Sequence, residues 1–572
     1  MCIQTRPRAA KSKFSSEVNV KLSIFGKTLI PAFLVGSAVL STVAMAHEGP
    51  LVWIAPSLHR VGMSDAVGSG TQVNLAAARD GYQSFQIVVS GASSGLKNVN
   101  VQISDLQGTG GEVIPRTSFT LYREKYVYVS ASSPNWGGSN KPRGAGWYPD
   151  ALIPFTDPTT GKPLSGAPLT AVPFDLKAGN NQPIWVDLLV PRSAAAGRYS
   201  GTYTVTSNGG TATGSISLTV WNFALPTTPS LKSAFLFSHA GTLEAQQELL
   251  RNRISPSSTP ASQMPQMKGR GLNATDTGPF SGADVGNCKM SPAPSVSQFK
   301  ARTAGRQPGV LLYDYSADEI GHCANLYPTI QQWAYNMHQA GISNLVSMSP
   351  TPALYSDGSG TGRSAVDIWV LLPVMYNNSK SEVDRVLKKG DSVWSYNTLV
   401  QDAYSPKWEI DFDPVDFRIQ PGFIDQSLNL TGLLYWRIDR WTSDPWNNVN
   451  NTGQFSSANY PGEGMLVYPG QQVGVPGVVA SMRLKWLRDG VEDYEYIEML
   501  KNLGKGDLAM QIARSVGPDW THWTRDASAI ESARQQLGEA INQIVNSTAR
   551  PVTTSSLSVN SDTPTRAKAT DR

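Results

Sequence analysis

Cysteine, histidine and charge are scarce in this chain. Three cysteines and six histidines are spread over 572 residues. The histidines show no metal-ligand spacing, so no metal centre and no cofactor is expected. Neither a Gly-rich phosphate loop nor a nucleophile elbow occurs, which argues against nucleotide-phosphate binding and serine-hydrolase chemistry. Charged residues make up 16% of the composition and leave a formal net charge of +4. Nothing in that balance attracts nucleic acid, which is not expected as a partner. Beyond the N-terminal segment no run is long and apolar enough to span a membrane. Glycine (51) and proline (38) are abundant, as in proteins of strands and long loops rather than helical bundles. The length suggests two to four domains.

Residues 1–46 read as a signal peptide. Arg6, Arg8, Lys11, Lys13, Lys21 and Lys27 form a basic region, and 29–43 is apolar and uncharged. That stretch is shorter than the ~20 residues a spanning helix needs. Ala44–Met45–Ala46 then supplies a small–x–small cleavage pattern before His47. An uncleaved anchor is the alternative. Export to the periplasm or the medium is expected, with no stable membrane insertion after cleavage. Cleavage removes six basic and one acidic residue, leaving 42 basic against 43 acidic, a net charge of −1. Cys2 leaves as well. Cys288 and Cys323 remain and are expected to pair in an oxidising compartment.

The fold class expected is multidomain: an N-terminal all-β sandwich, a (β/α)8 TIM-type barrel, and a C-terminal helical extension. Short β-branched and aromatic runs at 82–89, 99–103, 119–129, 183–190, 201–205 and 215–220 place the sandwich in 47–229. The stretch 131–177 reads as a long Pro/Gly/Trp-rich loop, of the kind that is functional or packs on another domain. After the linker 226–229, strands alternate with helices through 230–477, as in a parallel sheet. Strand signals are weak between 238 and 310. An amphipathic helix from Met482 to Leu500 opens the extension, 478–545, which completes the barrel. Its motifs Arg488–Asp489–Gly490 and Glu492–Asp493–Tyr494 read as structural. A Ser/Thr-rich tail, 546–572, is expected to be disordered.

One apolar run, 311–317, ends in Asp318–Glu319. The C-terminal rim of a barrel is where catalytic groups sit, and paired acids there are costly to desolvate. Burial and a like charge would raise one pKa and keep that carboxyl protonated, as an acid catalyst requires. Asp318 as a helix N-cap is the competing reading. Glycoside cleavage needs an acid for the leaving oxygen, and a retaining enzyme with its own nucleophile needs a second carboxylate ~5–5.5 Å away. The strand at 393–398 ends without one, and Asp391 sits at its start, so a substrate that brings its own nucleophile fits. Asp439 and Asp444 remain alternative nucleophiles. Trp369, Trp394, Tyr396, Tyr435, Trp436 and Trp441 cluster at or beyond strand ends, where they could stack on a sugar or fill the core. Tyr313 and Asp314 line the same pocket or fill barrel layers.

Several segments together resemble a family. They are the strand ending in Asp318–Glu319, then Gly432–Leu433–Leu434–Tyr435–Trp436, Trp441–Thr442–Ser443–Asp444–Pro445–Trp446 and the stretch 464–470, followed by 483–495. Their order and spacing resemble the catalytic domain of glycoside hydrolase family 123 over about 231–500, and the preceding sandwich is similar to that family's N-terminal domain. The resemblance implies a glycan or oligosaccharide substrate and a β-N-acetylhexosaminidase, with β-N-acetylgalactosaminidase as the family's activity. It also implies substrate-assisted retention, in which the sugar's acetamido oxygen attacks the anomeric carbon. Glu319 would be the general acid/base, and Asp318 would orient the acetamido group and stabilise the oxazoline-like intermediate. Family members often carry Pro after the acidic pair, whereas Ile320–Gly321–His322–Cys323 follows here. A carbohydrate-binding protein without turnover, or a glycosidase on sugars lacking the acetamido group, are the alternative readings.

Overall fold

Alternation of buried and exposed positions builds the first half of the protein. In the computed structural model, which describes residues 50–238, 241–278 and 282–548, one antiparallel sheet runs Leu51–Pro56, Tyr82–Ser90, Asn181–Leu189, Phe119–Val129, Gly146–Pro154. The expected signal peptide, and the expected tail after residue 548, lie outside the described residues. A second sheet centres on the hairpin Gly197–Ser207 and Gly210–Ala224, with Gln72–Arg79 added in parallel. Phe85, Ile87 and Val89 project from one face of their strand onto Val101, Tyr203, Ile216 and Leu218, as the two-residue period requires.

The stretch 131–177 is not one loop. Gly146–Pro154 is the edge strand of the first sheet, and an edge is where a strand tolerates Pro149 and Pro154. Phe174–Leu176 is a strand of the second sheet, paired with Leu96–Ile103, and the part before Gly146 packs on the other half of the protein. Trp136 Nε1 donates to Val400 O at 3.0 Å, and Asn140 Nδ2 to Ser405 O at 2.9 Å.

That other half is a parallel sheet of seven strands, in the order Lys232–Phe235, Gly432–Tyr435, Ser392–Tyr396, Ile368–Leu371, Ser343–Ser347, Leu311–Asp318, Ala274–Asp276. It curls until its two edge strands nearly meet. Between them the segment 255–258 bridges to both sides, Pro256 with Phe235 and Ser258 with Asp276. The weak strand signals before 310 come from this region, where a three-residue strand and a Pro/Ser bridge are too short for periodicity. Inside the curl lie Ala234, Tyr313, Leu345, Val370, Trp394 and Leu434. Tyr313 and Trp394, three strands apart, meet edge to face at 5.8 Å across the interior. Gly432 makes room for that indole: a Cβ there would lie 2.3 Å from it.

The helix Met482–Asn502 differs from its expected amphipathic form, being buried on nearly every face. Its charges survive burial because each finds a partner. Arg483 pairs with Asp150 at 2.8 Å, Lys485 and Arg488 with Asp187 at 3.0 and 2.9 Å, and Asp493 with Arg418 at 2.7 Å. Asp150 and Asp187 belong to sandwich strands, so the helix stitches the sandwich to the barrel-like sheet. The buried helical run Pro414–Ile419, which continues through Ser427, was not legible because Asp416, Arg418, Gln420 and Asp425 interrupt its apolar pattern. No described helix is long and apolar enough to cross a membrane.

Candidate active site

Asp318 is the last residue of its strand, and Glu319 turns out of it in the left-handed conformation, φ 47° and ψ 36°. Residues other than glycine rarely adopt this region, and such strain persists only where surroundings impose it. Here the Glu319 N–H donates to Ser347 O at 2.7 Å, tying the turn to the neighbouring strand. The N-cap reading of Asp318 is corrected. Its Oδ1 accepts the Tyr315 hydroxyl at 2.7 Å, and the following turn Ile320–His322 has no side-chain cap.

The left-handed turn sends the two acids into different spaces. Asp318 lines a cavity of about 810 Å³ together with Tyr315, Tyr396 and Trp436. Glu319 lines a second opening of about 460 Å³ with His322, Tyr327, Thr351 and Met375. Burial raises the Asp318 pKa, against the Tyr315 hydrogen bond. Burial, and then the charge of Asp318, raise that of Glu319. Burial pushes the Tyr396 hydroxyl well above its usual pKa, with Asp318, Glu463 and Glu319 adding to it. Both acids therefore act on one electrostatic site.

Of the expected aromatic residues, Tyr313, Tyr396, Tyr435 and Trp436 line the larger cavity. Tyr435 does so from a strand end while its ring packs on Phe235 and Trp408. Trp394 is corrected: it is fully buried, absent from the lining, and packs edge to face on Tyr313 in the barrel interior. Trp369 is corrected. It sits on the outer face of its strand, edge-on to Tyr355, with Nε1 donating to Asp391 at 3.1 Å. Trp441 is also absent from the lining and donates to Val467 O at 2.8 Å. Asp314 alternates away from the cavity and pairs with Arg302 at 2.9 Å. Burial raises its pKa to about 6, against Arg302.

The two alternative nucleophiles are elsewhere. Asp439 is buried, pairs with Arg437 at 2.9 Å and accepts the Ser238 N–H at 3.1 Å. Asp444 accepts the Asn447 side chain at 2.9 Å in an exposed loop. Neither lines the cavity.

Sequence reasoning missed Asp276, Arg302 and Glu463. Asp276 and Arg302 line the cavity from the poorly read part of the barrel. Glu463 is buried and holds the platform in place, accepting from Trp436 Nε1 at 2.5 Å and the Thr398 hydroxyl at 2.9 Å. No residue pattern around Glu463 announces this. Cys288 and Cys323 form a disulfide that ties the segment after Glu319 to the Cys288 loop. His322 lies close to both sulfurs, but the bond between them leaves no thiolate to act as a ligand.

Two family models match in series. The Glycoside hydrolase 123 N-terminal domain covers residues 67–207, and the Glycoside hydrolase 123 catalytic domain covers 366–500. The chain belongs to glycoside hydrolase family 123. The acidic pair lies ahead of the matched catalytic segment. Among solved structures, the chain is similar to a family 123 glycoside hydrolase from Clostridium perfringens studied for glycolipid glycan hydrolysis. The two share 14% identity with a TM-score of 0.59, over 86% of this chain and 98% of that one. A β-glucuronidase from Parabacteroides merdae aligns at 9% identity with a TM-score of 0.24, over 78% of this chain and 52% of that one, too loosely to carry an argument. No curated protein matches the chain. Family membership makes the protein a glycosidase acting on glycans.

Proposed function

We propose that this family 123 member is an exported β-N-acetylhexosaminidase that removes β-linked N-acetylhexosamine, foremost N-acetylgalactosamine, with substrate-assisted retention. The observation that carries the reading is the splitting of one acidic pair between two spaces. Glu319 protonates the glycosidic oxygen from the leaving-group side, while the acetamido oxygen attacks the anomeric carbon and Asp318 accepts the acetamido N–H and stabilises its developing positive charge. Glu319 then takes a proton from the water that opens the oxazoline. The raised pKa of Glu319 supports its role as acid. Tyr396 and Trp436 supply ring faces for the sugar. The absence of Asp439 and Asp444 from the lining supports a nucleophile provided by the substrate.

Segment 255–258 fits the eighth stave of a (β/α)8 barrel, so 47–229, 230–477 and 478–545 form sandwich, barrel and helical extension. The basic-then-apolar N-terminus and the disulfide support export. Glycolipid glycans, the subject of the Clostridium study, are the natural substrates to try first.

The test pairs aryl β-glycosides that differ only in a 2-acetamido or 2-hydroxyl group. Turnover of the acetamido series alone is expected. Equal turnover of both overturns substrate assistance, and turnover of neither leaves a carbohydrate-binding protein.

A further inference from the structure

Strict alternation along Leu311–Asp318 would keep Asp318 out of the cavity. Tyr313 and Tyr315 line it and Asp314 turns away, so a regular strand would bring Ala317 inward and point Asp318 outward. One extra residue reverses this. Tyr315 pairs with Leu345, Ala317 with Val346 and Asp318 with Ser347, which leaves Ser316 no partner position of its own. A bulge of this kind shifts the phase of a strand and re-aims the side chains beyond it. Ser316 and Ala317 both face outward: the Ser316 hydroxyl donates to the buried Asn344, and Ala317 joins the outer core with Ile330 and Val346. Tyr315 and Asp318 therefore share the cavity, and the tyrosine hydroxyl donates to Asp318 Oδ1 at 2.7 Å. Both ends of the bulge are tied down. The Asp276 carboxyl accepts the Tyr315 backbone N–H, and the Glu319 N–H bonds to Ser347 O at 2.7 Å.

The reaction proposed above asks opposite states of the two acids, a protonated Glu319 and an ionised Asp318, yet burial raises the pKa of both. A hydrogen-bond donor on one of them separates the pair. Burial and the charge of Asp318 hold the Tyr315 hydroxyl well above its usual pKa, so the phenol remains the donor and the carboxylate the acceptor. This bond lowers the Asp318 pKa against burial, and Ser347, opposite in register, adds to it. Tyr313, Tyr396, Tyr435, Asp276 and Arg302 also face the cavity, and among the described residues none of them bonds to Asp318. No described side chain donates to Glu319, whose pKa feels burial and then the charge of Asp318.

We infer that Tyr315 is a positioning residue that acts on the substrate through Asp318: by occupying Oδ1 it aims Oδ2 at the acetamido N–H and holds the carboxylate there while the nitrogen gains positive charge. This rests on the function proposed above. No covalent bond to Tyr315 forms or breaks, and its proton stays on the phenol oxygen.

Tyr315→Phe keeps the ring and removes only the hydroxyl. The substrate is a dinitrophenyl 2-acetamido β-glycoside, whose leaving group keeps slow variants measurable. The substitution should lower kcat/KM roughly 10- to 100-fold, mainly through kcat, as loss of a hydrogen bond to a charged group does. On top of Asp318→Ala it should cost less than about twofold, because no carboxylate remains to be held. The acid limb of kcat/KM should move to higher pH, since Asp318 loses the bond that favours its ionised form. A loss of equal size in both backgrounds, a wild-type rate in Tyr315→Phe, or an unmoved acid limb overturns the assignment. The Asp318 carboxyl can also be followed without substrate, by carbon-13 NMR of aspartate-labelled protein with Asp318→Asn to assign the signal. It should titrate at higher pH in Tyr315→Phe than in the wild type, and an unchanged titration overturns the hold on Asp318. If the wild type turns over neither glycoside series, the proposed function falls, and the titration alone then decides whether Tyr315 governs Asp318.

Discussion

Glu319→Gln removes one proton and almost no volume, so it isolates acid catalysis from shape. General acid catalysis contributes ~10²–10⁴ in rate, which is about 3–5 kcal/mol at 1.36 kcal/mol per decade. The size of the loss should depend on the leaving group. An alkyl glycoside, whose alkoxide leaves poorly, should lose the full ~10³–10⁴ in kcat/KM, and a dinitrophenyl glycoside less than about tenfold. Asp318→Asn should lower both alike, because its partner is the acetamido group. It should also move the alkaline limb of kcat/KM. Burial and the charge of Asp318 raise the Glu319 pKa. Removing the charge leaves burial alone, so Glu319 deprotonates at lower pH and the limb shifts to the acid side. The assay is kcat/KM against pH for both leaving groups in all three proteins. A Glu319→Gln loss independent of the leaving group refutes the acid assignment, and an unmoved limb in Asp318→Asn refutes the coupling.

Asp187→Asn leaves Lys485 without its carboxylate partner and Arg488 with Asp489 alone, and should cost ~3–5 kcal/mol in urea denaturation; a loss under about 1 kcal/mol contradicts the ion-pair account. Burial opposes ionisation of Asp187, yet Arg488 and Lys485 hold its carboxyl far below the usual range. Its contribution is therefore present above the unfolded pKa of ~3.9 and is lost as pH falls through the folded value, visible as acid sensitivity that Asp187→Asn lacks. Trp436→Ala should weaken sugar binding by about 2 kcal/mol, and Glu463→Gln, which only loosens the ring, by less; equal losses would show that Glu463 does more than position it. Replacing Cys288 and Cys323 by serine opens a 35-residue separation, with a chain-entropy cost of about 4 kcal/mol; an unchanged denaturation midpoint contradicts that estimate. Asn140→Ala breaks a buried contact from the sandwich to Ser405 O, worth ~1–3 kcal/mol, and should raise KM more than it lowers kcat.

What the sequence made legible were the features with a regular period or a local chemical oddity. The sandwich strands alternate with period two, and Asp318–Glu319 stands out because adjacent acids close an apolar run. Trp369 was misplaced because alternation along a four-residue strand cannot say which face is inside. Asp276 was invisible because its strand is three residues long, and Arg302 because it ends a seven-residue helix beside that strand. Glu463 escaped notice because its partners Thr398 and Trp436 come from distant loops and strand ends. The helix Met482–Asn502 looked amphipathic because charged residues normally face water. Nothing local reveals that Asp150, Asp187 and Arg418 wait for them inside.

Those buried charges explain why the sandwich belongs to the catalytic unit. Arg483 and Lys485 reach Asp150 and Asp187, on two strands of one sandwich sheet, from one helix, and a flexible attachment would strip both cations of their carboxylate partners in the interior, a cost of several kcal/mol each. The sandwich is therefore held in fixed register with the barrel-like sheet, and its loop at 131–145 can act on the rim. Ser133 donates to Asp411 at 2.6 Å, and Trp136 and Asn140 bond to Val400 and Ser405. That rim segment begins just past Thr398, whose hydroxyl and the Trp436 indole share Glu463 as acceptor. Contacts thus run without a gap from the sandwich to the aromatic wall of the cavity. A change such as Asn140→Ala, remote from either carboxyl of the acidic pair, should for that reason be felt in substrate affinity before it is felt in the chemical step.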